Sequence, residues 1–78
     1  MKLSEEKRDI WKQAYAICEQ YDGEITDSGS VIAASESIRR FCGQHEADPE
    51  CNQMALALGI AMCNYFENIY KQAVSVND

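Results

Sequence analysis

An all-α fold, an antiparallel three-helix bundle with a long C-terminal helix, is what this sequence predicts, and three observations carry the expectation. Apolar residues recur at helical spacing in three separate stretches, capping residues stand at the borders of those stretches, and no period-two alternation runs anywhere along the chain. With 78 residues the chain has room for one domain, residues 1–78, whose core is marginal for its size. The expected helices cover about residues 4–22, 29–42 and 49–75. Their links are short enough to make up-down-up the economical topology.

The third helix is the strongest of the three. Asp48 is a natural N-cap, Pro49 suits the first helical position, and Glu50 places negative charge at the positive end of the helix dipole. The stretch that follows would reach roughly 40 Å at 1.5 Å per residue. Met54, Leu58, Met62, Tyr65, Ile69 and Val76 share one face, and Leu56, Gly59, Cys63, Phe66, Tyr70 and Val74 an adjoining one. An apolar arc this wide suits a helix packed against two neighbours. Ala55, Gly59 and Cys63 lie four apart, which permits close helix approach. The uninterrupted apolar run from Met54 to Cys63 is ten residues, well short of the roughly 20 that a membrane span requires.

Ser4 caps the first helix, with Glu5 and Glu6 in its first turn and Gly23 as its terminator. Leu3, Ile10, Trp11, Ala14, Ile17, Cys18 and Tyr21 face inward by this reckoning, and Gln13 faces out. The second helix starts near Ser28 or Ser30, turns Val31, Ala34, Ile38, Phe41 and Cys42 inward, and stops at Gly43.

Apolar residues make up 46% of the chain and charged ones 26%, which is ordinary for a globular domain and too apolar for a disordered one. The N-terminal MKLSEEKRD has no apolar core of a secretory signal, so a cytoplasmic location with reduced thiols is the expectation. Cys18, Cys42, Cys51 and Cys63 all fall on inward arcs, with Cys18 level with Cys63 and Cys42 near Cys51. A metal-binding module using Cys42, His45 and Cys51 is the alternative reading, with Glu46, Asp48 or Glu50 as a fourth ligand. That triplet is irregular for structural zinc, so no metal or other cofactor is expected, and His45 reads as a solvated loop residue. No oxyanion donors or substrate pocket accompany these thiols, so no catalytic residues are assigned and the chain is not expected to be an enzyme.

Acids outnumber bases 13 to 7, for a net charge of −6. Glu19, Asp22, Glu24 and Asp27 gather at the first turn, but without the length and ligand order of a calcium loop. Basic residues are too few and too dispersed for direct nucleic-acid binding. The functional expectation is therefore a small acidic protein–protein interaction module: a regulator, adaptor or inhibitor of another protein. Accessory proteins of bacteria or phages that target a nucleic-acid-handling complex are one version, and a purely structural assembly subunit is the remaining alternative. Glu19, Asp22, Glu24 and Asp27 would meet a basic partner. If the helices share a common level, the first ends opposite about Phe66. Phe66, Ile69, Tyr70, Ala73 and Val74 would then lie uncovered and form a homodimer contact on the C-terminal half of the third helix.

Overall fold

The computed structural model describes residues 3–76, with side chains described through Ala73. Three helices pack against one another, α1 (Glu5–Tyr21), α2 (Ser28–Gly43) and α3 (Pro49–Val76), with no strand among the described residues. The expected all-α three-helix bundle is the fold.

Local chemistry sets the helix borders. The Ser4 hydroxyl accepts from the Lys7 amide (3.2 Å), and Asp48 Oδ1 accepts from the amides of Glu50 (2.9 Å) and Cys51 (3.2 Å). At α2, which begins at Ser28 as expected, the cap is Asp27. Its Oδ1 accepts from the Ser30 amide (2.8 Å), and the Ser30 hydroxyl accepts in return from the Asp27 amide (3.1 Å). This reciprocal capping box satisfies two otherwise orphaned groups. Helix α1 closes with the Asp22 amide donating to the Cys18 carbonyl (2.8 Å), and Gly23 at φ +80° turns the chain away.

The registry of the helices decides what is buried. Helices α1 and α3 run parallel and in step: Lys7 Nζ donates to Glu50 (3.0 Å) near one end, and the Tyr65 hydroxyl donates to Asp22 (3.1 Å) near the other. Both pairs are 43 residues apart in sequence, so neither helix slips against the other. Helix α2 runs antiparallel but is displaced. His45, just beyond its C-terminus, bonds Gln13 in the middle of α1, and Ser37 meets Tyr21 at the end of α1. Since Tyr21 is level with Ser37, the residues of α2 before Ser37 reach about 13 Å past the end of α1.

That displacement corrects the expectation of a bare C-terminal half of α3. Phe66 is not an exposed anchor: it is 2% accessible, its ring edge-on to Tyr21 at 6.2 Å. Ile69 and Tyr70 are half-buried and pack against the core, as does Val31 from the overhanging part of α2, while Ile25 of the connecting loop is buried in it. The common-level assumption failed because the loop of residues 22–27 climbs beyond α1 before α2 begins. Ala73 is also half-buried, and the side chain of Val74 lies outside the described residues.

The rest of the core joins Ile10 and Ala14 of α1, Ala34, Ile38 and Phe41 of α2, and Cys51, Ala55 and Met62 of α3. Gly59 lets α2 come close: a Cβ there would stand 2.8 Å from Cys42 Sγ and 3.1 Å from Ile38 Cγ2. The small-residue spacing of Ala55, Gly59 and Cys63 thus lies on the face of α3 that α2 approaches. Several facing assignments change. Leu3, Trp11, Leu56 and Tyr65 are about half exposed rather than inward, and Gln13 turns toward His45 rather than to solvent.

Candidate functional site

Two places gather side chains beyond what the fold requires. The first is the outer seam between α1 and α3, on the side away from α2. Depressions of about 470 and 330 Å³ share Trp11 and Leu58, and a third of about 340 Å³ shares Tyr15, Cys18 and Tyr65 with the second. They form one continuous groove from the Lys7–Glu50 ion pair to Glu19 and Asp22. From Lys7 to Asp22 it spans about 22 Å, four turns of helix. Trp11 (50% exposed), Tyr15 (70%) and Tyr65 (49%) stand along it, with Ala61, Leu58 and Met62 at its floor and sides. The α1–α2 groove is different in kind, lined by Gln13, Ser37, Arg40 and Gln44 beside Ile17 and Phe41. Sequence reading missed the first groove because Trp11 and Tyr65 lie on apolar arcs, and an arc does not reveal which of its edges the neighbour leaves open.

The four acids of the first turn have separate structural positions. Asp27 caps α2, and Asp22 holds the Tyr65 hydroxyl, which ties the end of α1 to α3. Glu19 and Glu24 are exposed, and Glu19 lies with Asp22 at the mouth of the groove. The turn therefore presents charge, but half of its carboxylates also hold the fold.

The second place is the end of the bundle where α1 and α3 start. Helix α2 stops short of this end, so the link after Gly43 fills the space beside the first turns. His45 is therefore 7% accessible, a correction to the solvated loop residue expected. Its ring stands edge-on to Phe41 (5.6 Å), Nε2 bonds Gln13 Oε1 (2.9 Å), and Nδ1 is buried without a hydrogen-bond partner, 3.7 Å from Glu6 Oε1. Oxygens of Glu6 and Asp48 and the Cys51 Sγ lie within 4.8 Å of one another. The expected trio of Cys42, His45 and Cys51 is not the group that forms. The Cys42 thiol points along α3 instead, donating to the Ala55 carbonyl (3.5 Å) beside Gly59, and Glu6 comes in from α1. No spacing rule links Glu6 to Cys51; the parallel registry of α1 and α3 brings them together.

All four cysteines are free thiols; Cys51 is buried, the other three half-buried and packed on the core. The Cys42 thiol is influenced by Cys63, while Cys51 faces Asp48, Glu6 and Lys7. Burial is the leading cause that pushes each thiol above its ordinary value of 9.0, reinforced at Cys51 by Asp48 and a hydrogen bond to Glu6. The Tyr65 hydroxyl is raised above 10.0, first by its bond to Asp22.

These shifts predict alkaline sensitivity. Below the unfolded value near 9, both folded and unfolded thiols keep their protons and the stabilising contribution is complete. As pH rises further the unfolded chain ionises first, so stability is lost through the raised folded values. Thermal melts under reductant, from about pH 8 to about pH 10.5, are expected to show a falling midpoint. A flat profile would mean that burial does not disfavour the thiolates.

No helix among the described residues is long and apolar enough to cross a membrane. No family model, curated protein or solved structure matches the chain.

Proposed function

We propose that this protein acts by binding another protein, as a small regulator, adaptor or inhibitor, and that the α1–α3 groove receives an amphipathic helix with a basic end. The observation that carries the reading is the row of Trp11, Tyr15 and Tyr65 along the apolar middle of a continuous groove four turns long. Aromatic side chains at such exposure are the residue types that dominate binding energy when a partner desolvates them. A helix laid into the groove through its apolar face is the recognition mode that fits a channel of this length.

Charge supports the basic end of the partner. Glu19 and Asp22 close one end of the groove, Glu24 is exposed nearby in sequence, and the chain carries −6 overall. A second copy of this chain would bring the same net charge, which argues for a different protein as the occupant. With Phe66 in the core, the homodimer contact on α3 also lacks its expected anchor. The partner class stays as broad as a basic, amphipathic segment, of which a component of a nucleic-acid-handling complex is one instance.

The test is site-specific photo-crosslinking in the native host, with the crosslinker at Tyr15 and, as control, at the exposed Ile32 of α2. One protein captured from Tyr15 and not from Ile32 is the expected result. With that partner purified, Trp11→Ala with Tyr15→Ala is expected to weaken binding by at least about thirtyfold, on the order of 2 kcal/mol or more. Neutralising Glu19 and Glu24 is expected to slow association and reduce its salt dependence. Equal capture at both positions, or binding indifferent to the Trp11 and Tyr15 substitutions, contradicts the assignment. Sedimentation of the free chain as a dimer that the same substitutions dissolve would place a second copy in the groove.

A further inference from the structure

We propose that Glu6, His45, Asp48 and Cys51 form a binding site for a divalent cation of the zinc class, where α1 and α3 begin. Three of the donors are already assembled: one oxygen each of Glu6 and Asp48 and the Cys51 Sγ lie within 4.8 Å of one another. Tetrahedral zinc, with bonds of about 2.0 Å to oxygen and 2.3 Å to sulfur, needs separations of about 3.3–3.5 Å. Small side-chain adjustments close that gap, since Glu6 and Asp48 are exposed; His45 lies outside this trio and reaches it through Glu6, 3.7 Å from its Nδ1.

The independent pointer to a ligand is His45. Its side chain is 8% accessible, and Nδ1 has no hydrogen-bond partner, although buried polar atoms are normally satisfied. Nε2 is taken up by Gln13 Oε1, so Nδ1 is the ring nitrogen left for a further partner. Nδ1 faces the Glu6 carboxylate at 3.7 Å, beyond hydrogen-bonding distance and close to the ligand–ligand separation of a tetrahedral cation site. A histidine that donates one N–H to a carbonyl and offers the other nitrogen is also the usual arrangement of a metal ligand and its outer partner.

Donor chemistry selects the cation. Calcium and magnesium take oxygen ligands and have no use for a thiol or imidazole, whereas one sulfur, one nitrogen and two oxygens suit zinc. Asp48 Oδ1 accepts both amide bonds of the helix cap, which leaves its other oxygen for the metal. Cys51 binds as the thiolate, its proton passing to the buffer as the metal–sulfur bond forms. Lys7 stands at the rim with its charge engaged by Glu50. The cation would join the first turn of α1, the link after α2 and the first turn of α3.

The probes are Zn²⁺ and Co²⁺, added to the full chain after reduction and removal of chelators. One equivalent of Zn²⁺ is expected to raise the melting temperature. Co²⁺ is expected to give the intense visible bands of a tetrahedral site and a sulfur-to-cobalt charge-transfer band. Cys51→Ser is expected to abolish the charge-transfer band, and Cys42→Ser to leave it unchanged. Glu6→Gln with Asp48→Asn keeps the helix cap and alters only exposed side chains, so it is expected to fold; it should weaken Zn²⁺ by at least about tenfold. A charge-transfer band that survives Cys51→Ser, or is lost in Cys42→Ser, overturns the ligand assignment. Absence of any Zn²⁺ response, or equal affinity in the carboxylate variant, overturns the site.

Discussion

Replacing Phe66 by alanine is expected to remove about 3–5 kcal/mol of folding stability, the cost of deleting a fully buried aromatic ring. For a chain of this length the total is on the order of 4–12 kcal/mol, so the variant should lose a large share of its stability and show a much lower unfolding midpoint. Phe66 is 2% accessible, meets Tyr21 edge-on, and stands beside Tyr65, whose ring centre is 5.5 Å away. Its loss would open a cavity beside Tyr21 and Tyr65, where α1 ends. Urea titration of the wild type and variant gives the comparison. The result also separates two views of α3: an interface anchor could be truncated with the monomer still stable, and a core residue could not. An unchanged midpoint would return Phe66 to the surface.

Gly59→Val is expected to cost about 2–3 kcal/mol, and here the cause is overpacking. The Cβ alone would stand 2.8 Å from Cys42 Sγ and 3.1 Å from Ile38 Cγ2, and valine adds two methyl groups beyond it. Ile38 is 4% accessible and branched at Cβ, so it has little room to retreat. Gly59→Ala is the informative companion. Alanine gains about 1 kcal/mol of helix propensity over glycine, which offsets much of a single close contact. Combined with Cys42→Ala, which removes the sulfur, Gly59→Ala should become neutral or stabilising. A double-mutant cycle on thermal or urea midpoints reads that coupling directly. Additivity of the two substitutions would mean that Cys42 is not the obstacle.

The helices were legible from sequence because their causes are local. Ser4 and Asp48 accept from amides two or three residues ahead, Gly23 needs only its own φ, and apolar spacing reports a helix whatever it packs against. Asp27 carries two readings at once, because it sits among other acids and also before a helix start. Asp27-x-x-Ser30 places polar oxygens at the cap and third helical positions, and it was a capping signal as much as a charge cluster.

What only the tertiary structure decided was the relative height of the helices. Parallel registry sets Lys7 against Glu50 and Asp22 against Tyr65, and this same registry delivers Glu6 to Asp48 and Cys51. The displacement of α2 covers Phe66, Ile69 and Tyr70 near one end and leaves a gap at the other, which His45 fills. The α1–α3 seam along Trp11 and Tyr15 stays open because it faces away from α2. A helical wheel specifies the angle of each side chain around its axis and nothing about translation along it. Sliding α2 by about two turns would keep every apolar arc facing inward while exchanging which residues are covered. The energy that selects one height comes from contacts between distant segments, such as the close fit at Gly59 and the burial of Ile25, and those exist only once the chain has folded.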